Sequence, residues 1–131
     1  MNNFEYIYKK LEYLFIEKLP EYIEKVNKDI NDGIILKPFM NKTLDEDCIK
    51  LPNIRFSLSE AEYTEKDRII ENCVFNFNIE IRNHNNIGKS LIELYRYYEA
   101  IERLINENKE DFLEFRIIKN FDNKVFFRIV A

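Results

Sequence analysis

The chain has 131 residues, 46% hydrophobic and 34% charged, which suits one compact domain over residues 1–131 and leaves no room for a second. Twenty basic side chains against 24 acidic ones give a net charge of −4, so no global positive field draws nucleic acid or an anionic membrane surface, and neither is expected as a partner. No stretch approaches the roughly 18 uncharged apolar residues of a membrane span, and the start Met1-Asn2-Asn3-Phe4-Glu5 lacks a signal peptide's basic-then-apolar pattern, so a cytoplasmic protein is expected.

Phe4, Ile7, Tyr8, Leu11, Leu14, Phe15 and then Lys18 or Leu19 recur at three- and four-residue spacing, the mark of one apolar stripe on a helix. Pro20 interrupts the stripe, which resumes at Tyr22, Ile23, Val26 and Ile30; proline either kinks one long helix here or opens a second at its first turn. Asn31-Asp32-Gly33 ends it, with Gly33 free to take the left-handed conformation. Ile34 to Leu36 reads as a short strand, and 37–52, which holds Pro38 and lacks any period, reads as a loop.

Ile54, Phe56 and Leu58 alternate with polar residues and predict a brief strand after Pro52. The charged stretch 60–72 predicts an excursion or a short helix. From Cys73 to Arg82 the apolar residues fall at 73, 75, 77, 79 and 81 and the polar ones at 76, 78, 80 and 82, a half-buried antiparallel strand. Leu91, Leu94, Tyr95, Tyr98, Ile101, Leu104 and Ile105 form a second helical stripe over 89–107, with Ser90 and Glu93 spaced as a capping box. Leu113, Phe115 and Ile117, then Val125, Phe127 and Ile129, alternate on either side of an Asn120–Asn123 turn and predict a terminal hairpin over 112–130. This order predicts an α+β two-layer sandwich: an antiparallel sheet of about four strands, covered on one face by the two helices. Phe112, Ile118, Phe126 and Val130 fall opposite to the inward set, so the second face is expected to be partly covered, by a neighbouring subunit.

The motifs that carry chemistry elsewhere do not carry it here. Gly88-Lys89-Ser90 has the last letters of a phosphate-binding loop, but position 83 holds Asn where such a loop needs glycine, and a turn followed by the helix cap explains the run. Asp45-Glu46-Asp47 lacks the turn glycine and the later glutamate of a calcium loop, and reads as a solvated acidic loop. His84, the single histidine, stands in a polar turn without a sequence neighbour to activate. Cys48 and Cys73 form no CxxC and read as reduced thiols, Cys73 in the core. Tyr95, Tyr97 and Tyr98 resemble an aromatic platform, but two of them lie on the core stripe. The sequence therefore implies no catalytic residue, no cofactor and no metal. Its sixteen asparagines read as the habit of an AT-rich genome.

Leu19-Pro20-Glu21-Tyr22 after a long first helix, the Leu51-Pro52-Asn53-Ile54-Arg55-Phe56 strand, the Cys73–Ile81 strand, the Leu94–Ile105 helix and the closing hairpin together resemble small tailed-phage morphogenesis proteins, the tail terminator and head-tail joining proteins. The resemblance is one of element order and size over most of the chain. It implies a non-enzymatic structural subunit of phage or prophage origin. Such a subunit assembles with itself as a ring, commonly a hexamer, and docks onto tail or connector proteins in the host cytoplasm or the virion. The candidate interface is the outer sheet face: Asn76, Asn78, Glu80, Arg82, Phe112, Ile118, Phe126 and Val130. The alternative is a small cytoplasmic adaptor or regulatory domain that binds one protein through the same face.

Overall fold

The structure, a computed structural model, describes the backbone of residues 4–44, 50–63, 70–81, 87–108, 114–121 and 124–130, and the side chains of 5–44, 50–56, 75–81 and 88–108. Its elements are helix α1 (Phe4–Glu12), a π-helical stretch (Tyr13–Lys18), helix α2 (Leu19–Asp29), strands β1 (Asn53–Tyr63) and β2 (Ile70–Glu80), helix α3 (Ile87–Glu107), and strands β3 (Glu114–Phe121) and β4 (Lys124–Val130). The architecture is α+β.

Pro20 does not break the helical run. It sits in the first turn of α2, and the π-helical stretch lies directly before it. In a regular α-turn the proline ring would press on the carbonyl four residues back, that of Ile16, and would leave it without a donor. The wider turn, in which the Leu19 N–H donates to the Leu14 carbonyl five residues back, accommodates the ring. The extra residue also re-aims the stripe, so that Leu14, Phe15 and Leu19 are all buried.

The core lies between these helices and one face of the β1–β2 pair. Ile7, Leu11, Phe15, Leu19, Ile23 and Val26 meet Leu94, Ile101 and Leu104 of α3, Ile54, Phe77 and Ile79 of the strands, and Ile81 just after β2. At its centre the rings of Phe15, Phe56 and Phe77 pack at centroid distances of 4.0 to 4.9 Å. Each buried side chain of this size contributes roughly 1.5–3 kcal/mol.

β1 pairs antiparallel with β2, Ile54 facing Ile79 and Phe56 facing Phe77. Backbone register continues the sheet through β4 and β3, in the order β1-β2-β4-β3. Packing of helices onto sheet is described for the first two strands only. The strands are longer than the sequence predicts: β1 runs to Tyr63 and β2 begins at Ile70, where an excursion over 60–72 is expected. The ladder slips between Leu58 and Glu60, so the extra residue Ser59 breaks the two-residue period by which the strand would be recognised.

Two further expectations are corrected. Ile34 to Leu36 is no strand, although Leu36 is buried. The α3 helix begins at Ile87, not 89, which puts Gly88, Lys89 and Ser90 inside its first turn and removes Ser90 from the capping position. On α3, Tyr95 is 54% exposed and leaves the core to Tyr97, at 3%. The reason is the segment after α2: the Tyr97 hydroxyl donates to the Lys37 carbonyl at 2.7 Å and its ring stacks on Phe39. Gly33 does take a positive φ, +92°, and Arg96 holds the turn by bonds to Asp32 at 2.5 and 2.9 Å and to the Ile34 carbonyl at 3.4 Å.

Candidate functional site

Inward alternation of Phe75, Phe77 and Ile79 leaves Asn76, Asn78 and Glu80 on the face of β2 turned away from the helices. All three are half-buried. The side-chain oxygens of Asn76 and Asn78 are closed off from solvent and, among the described residues, accept no hydrogen bond. A buried acceptor left unpaired costs about 1–3 kcal/mol, so two side by side on a sheet face are a feature to be explained.

Register places the other expected residues around them. Phe126 stands opposite Asn78 and Val130 opposite Val74, both on this outer face. Ile118 does not join them, because the β3–β4 ladder passes from Ile117 to Lys119 and skips it; Lys119 takes the place opposite Phe126. Arg82 and Phe112 lie outside the described residues.

Five basic residues that sequence reasoning did not single out, Arg55, Arg116, Lys119, Lys124 and Arg128, stand at register positions of the same parity. One row across the sheet is Arg55, Asn78, Phe126, Lys119; the next is Ser57, Asn76, Arg128, Arg116. These residues come from three strands, and only the pairing register aligns them. The available signal was parity at three of them, since Arg55, Arg116 and Arg128 each lie between apolar neighbours on the strand.

A second concavity, a cleft of about 220 Å³, lies between the segment after α2, the Leu51–Pro52 peptide and α3. Its walls include Leu36, Pro52, Ile81 and Tyr97; Ile35, 74% exposed, stands at its rim, and Glu93 lends it a carboxylate.

The titratable groups with displaced pKa values are structural. Hydrogen bonds from Arg96, and after them from the Ile34 N–H, hold Asp32 down at about 2. Burial pushes the Tyr97 and Tyr98 hydroxyls well above the usual phenol value. The Tyr22 hydroxyl donates to Glu107, and that bond first, then burial, raises it.

Lys89 and Gly88 are exposed at the start of α3 and Ser90 is buried. The acidic run Asp45-Glu46-Asp47, Cys48 and His84 lie outside the described residues; Cys73 stands opposite Ala61 on β2. Among the described residues no cluster of His, Cys, Asp or Glu gathers as for a metal ion, and no helix is long and apolar enough to cross a membrane. In comparisons with protein-family models, with curated proteins and with solved structures, nothing matches the chain.

Proposed function

We propose that this chain is a non-catalytic structural subunit that works by protein contact through the outer face of its sheet. The observation that carries the reading is the alternation of β2: Phe75, Phe77 and Ile79 are buried in the core, and Asn76, Asn78 and Glu80, half-buried, stand on the opposite face. A sheet face set apart from the core suits contact with another chain. Phe126 and Val130 stand at register positions on that face. In this reading the helices cover the whole inner face of a four-stranded sheet as a two-layer sandwich, and the outer face is the working surface.

The order of helix, strands, helix and hairpin supports a role like that of tailed-phage tail terminator or head-tail joining proteins. On that reading the subunit forms a ring, a hexamer by the resemblance, and docks onto tail or connector proteins. The genes flanking this one test the assignment: capsid, portal and tail genes on both sides are expected, and a metabolic or regulatory neighbourhood would contradict it.

The cleft favours a second reading, a small adaptor domain. Its mixed walls, Leu36 and Pro52 beside Glu93 and Tyr97, and the exposed Ile35 at its rim suit a single bulky side chain of one partner protein. Isolation of a stoichiometric complex abolished by Ile35→Asp but not by Phe126→Asp would decide for it.

A further inference from the structure

We infer that the cleft beside α3 is a self-association site, where two copies of this chain exchange Ile35 across a two-fold axis, each side chain entering the other copy's cleft. The inference rests on the cleft reading above and names the partner.

Ile35 stands exposed at the rim of a cleft of about 220 Å³ whose walls include Leu36, Pro52, Ile81 and Tyr97. A cavity of about 150 Å³ already takes a benzene-sized group, so this one has room for an isoleucine side chain. Two further exposed apolar residues adjoin it: Leu51 in its wall, and Met40, whose N–H donates to the Pro52 carbonyl at 2.8 Å. The backbone around Ile35 is tied on both sides. Arg96 donates to the Ile34 carbonyl at 3.4 Å, Asn27 bonds the N–H and the carbonyl of Leu36, and the Tyr97 hydroxyl donates to the Lys37 carbonyl at 2.7 Å. A side chain presented by a backbone held at three points loses little freedom on docking.

The patch thus carries a knob and a socket side by side. A two-fold contact requires this, because one surface must serve as both partners, whereas a foreign partner would need only one of the two. Charge follows the same rule. Lys37 lies in the wall made by the segment after α2, and Glu93 in the wall made by α3. An axis over the cleft lays the first wall of each copy on the second wall of the other, so Lys37 of one copy meets Glu93 of the other, twice. A carboxylate has room for such a donor beside any that it already holds. One side chain and one ion pair each way make a contact below the roughly 1,200 Å² of stable interfaces, so its Kd is on the order of 1 mM. It forms near that concentration, or between chains that the sheet face already holds together.

Amide NMR of the full chain carrying Phe126→Asp, which takes the sheet face out of play, reads this contact between about 0.05 and 1 mM. The Ile35, Lys37, Glu93 and Tyr97 amides are expected to shift with concentration while tumbling slows toward that of a dimer. Ile35→Asp, at an exposed site, abolishes both effects. Lys37→Glu or Glu93→Lys alone brings like charges together and weakens association at least about tenfold, and the two reversals in one chain restore it to within about threefold. Circular dichroism confirms that each variant is folded. Absence of any concentration dependence, its persistence in Ile35→Asp, or failure of the paired reversal to restore it would each overturn the inference. A complex with a different protein that Ile35→Asp abolishes, found without self-association, would leave the cleft reading standing and remove only the second copy.

Discussion

The carboxamide of Asn41 pairs with the backbone of Ile54 as a neighbouring strand would: its Nδ2 donates to the Ile54 carbonyl at 3.0 Å, and the Ile54 N–H donates to its Oδ1 at 3.2 Å. The same amide also donates to the Thr43 carbonyl, and Asn41 is only 4% exposed. Asn27 repeats the device on Leu36, accepting from its N–H at 2.8 Å and donating to its carbonyl at 3.0 Å. Two asparagines thus pin the segments on either side of the cleft to the core. Asn41→Ala strands a buried backbone donor and acceptor, and should lower unfolding free energy by about 2–3 kcal/mol in urea denaturation. Asn27→Ala, at a half-buried site, should cost less.

These bonds also mark the limit of what the sequence discloses. Stripes such as Ile7-Leu11-Phe15 and the alternation of Phe75, Phe77 and Ile79 are legible because burial imposes its period on them. Asn41 and Asn27 are two of sixteen asparagines and carry no pattern, since their partners are backbone groups 9 to 13 residues away. Ser59 and Ile118 hide the ends of strands by breaking alternation where the ladder slips. The outer face was half legible. Asn76, Asn78 and Glu80 followed from parity, whereas the alignment of Arg55 with Phe126 and Lys119 across them comes only from the strand register.

The unpartnered oxygens of Asn76 and Asn78 predict opposite effects on stability and on association. Asn78→Val removes a buried, unpaired acceptor from the isolated chain and should raise its stability by about 1 kcal/mol. The same change removes a hydrogen-bonding group from the contact face and should weaken association. Thermal unfolding of dilute protein, set beside light scattering of concentrated protein, reads both.

Asp32 should titrate at about 2, against an ordinary value of 3.8, because Arg96 and the Ile34 N–H bond its charged form. A depressed carboxylate stabilises the fold above the unfolded value, and that contribution is lost as pH falls through the folded one. The loss therefore spans about pH 4 to 2. Carboxyl-carbon NMR titration should find Asp32 near 2 in the native chain and higher in Arg96→Gln, where the Ile34 N–H bond alone still lowers it.

At the alkaline end the sign reverses. Tyr97 and Tyr98 are buried as neutral phenols, so their pKa values are raised in the folded state above the ordinary value of 10. They contribute stability below pH 10 that is lost as pH climbs above it. Tyr97 and Tyr98 should ionise only as the fold opens, visible as a late step in phenolate absorbance that coincides with loss of helical circular dichroism.

The central claim, that the outer face of the sheet is a contact surface, is tested most directly by the mass of the chain in solution. Multi-angle light scattering at high micromolar concentration should find the native chain well above its monomer mass of 16.0 kDa. Phe126→Asp, which places a charge opposite Asn78 on that face, should return it to the monomer with its circular dichroism unchanged. A native chain that stays monomeric, or a Phe126→Asp variant that assembles as the native chain does, would contradict the account.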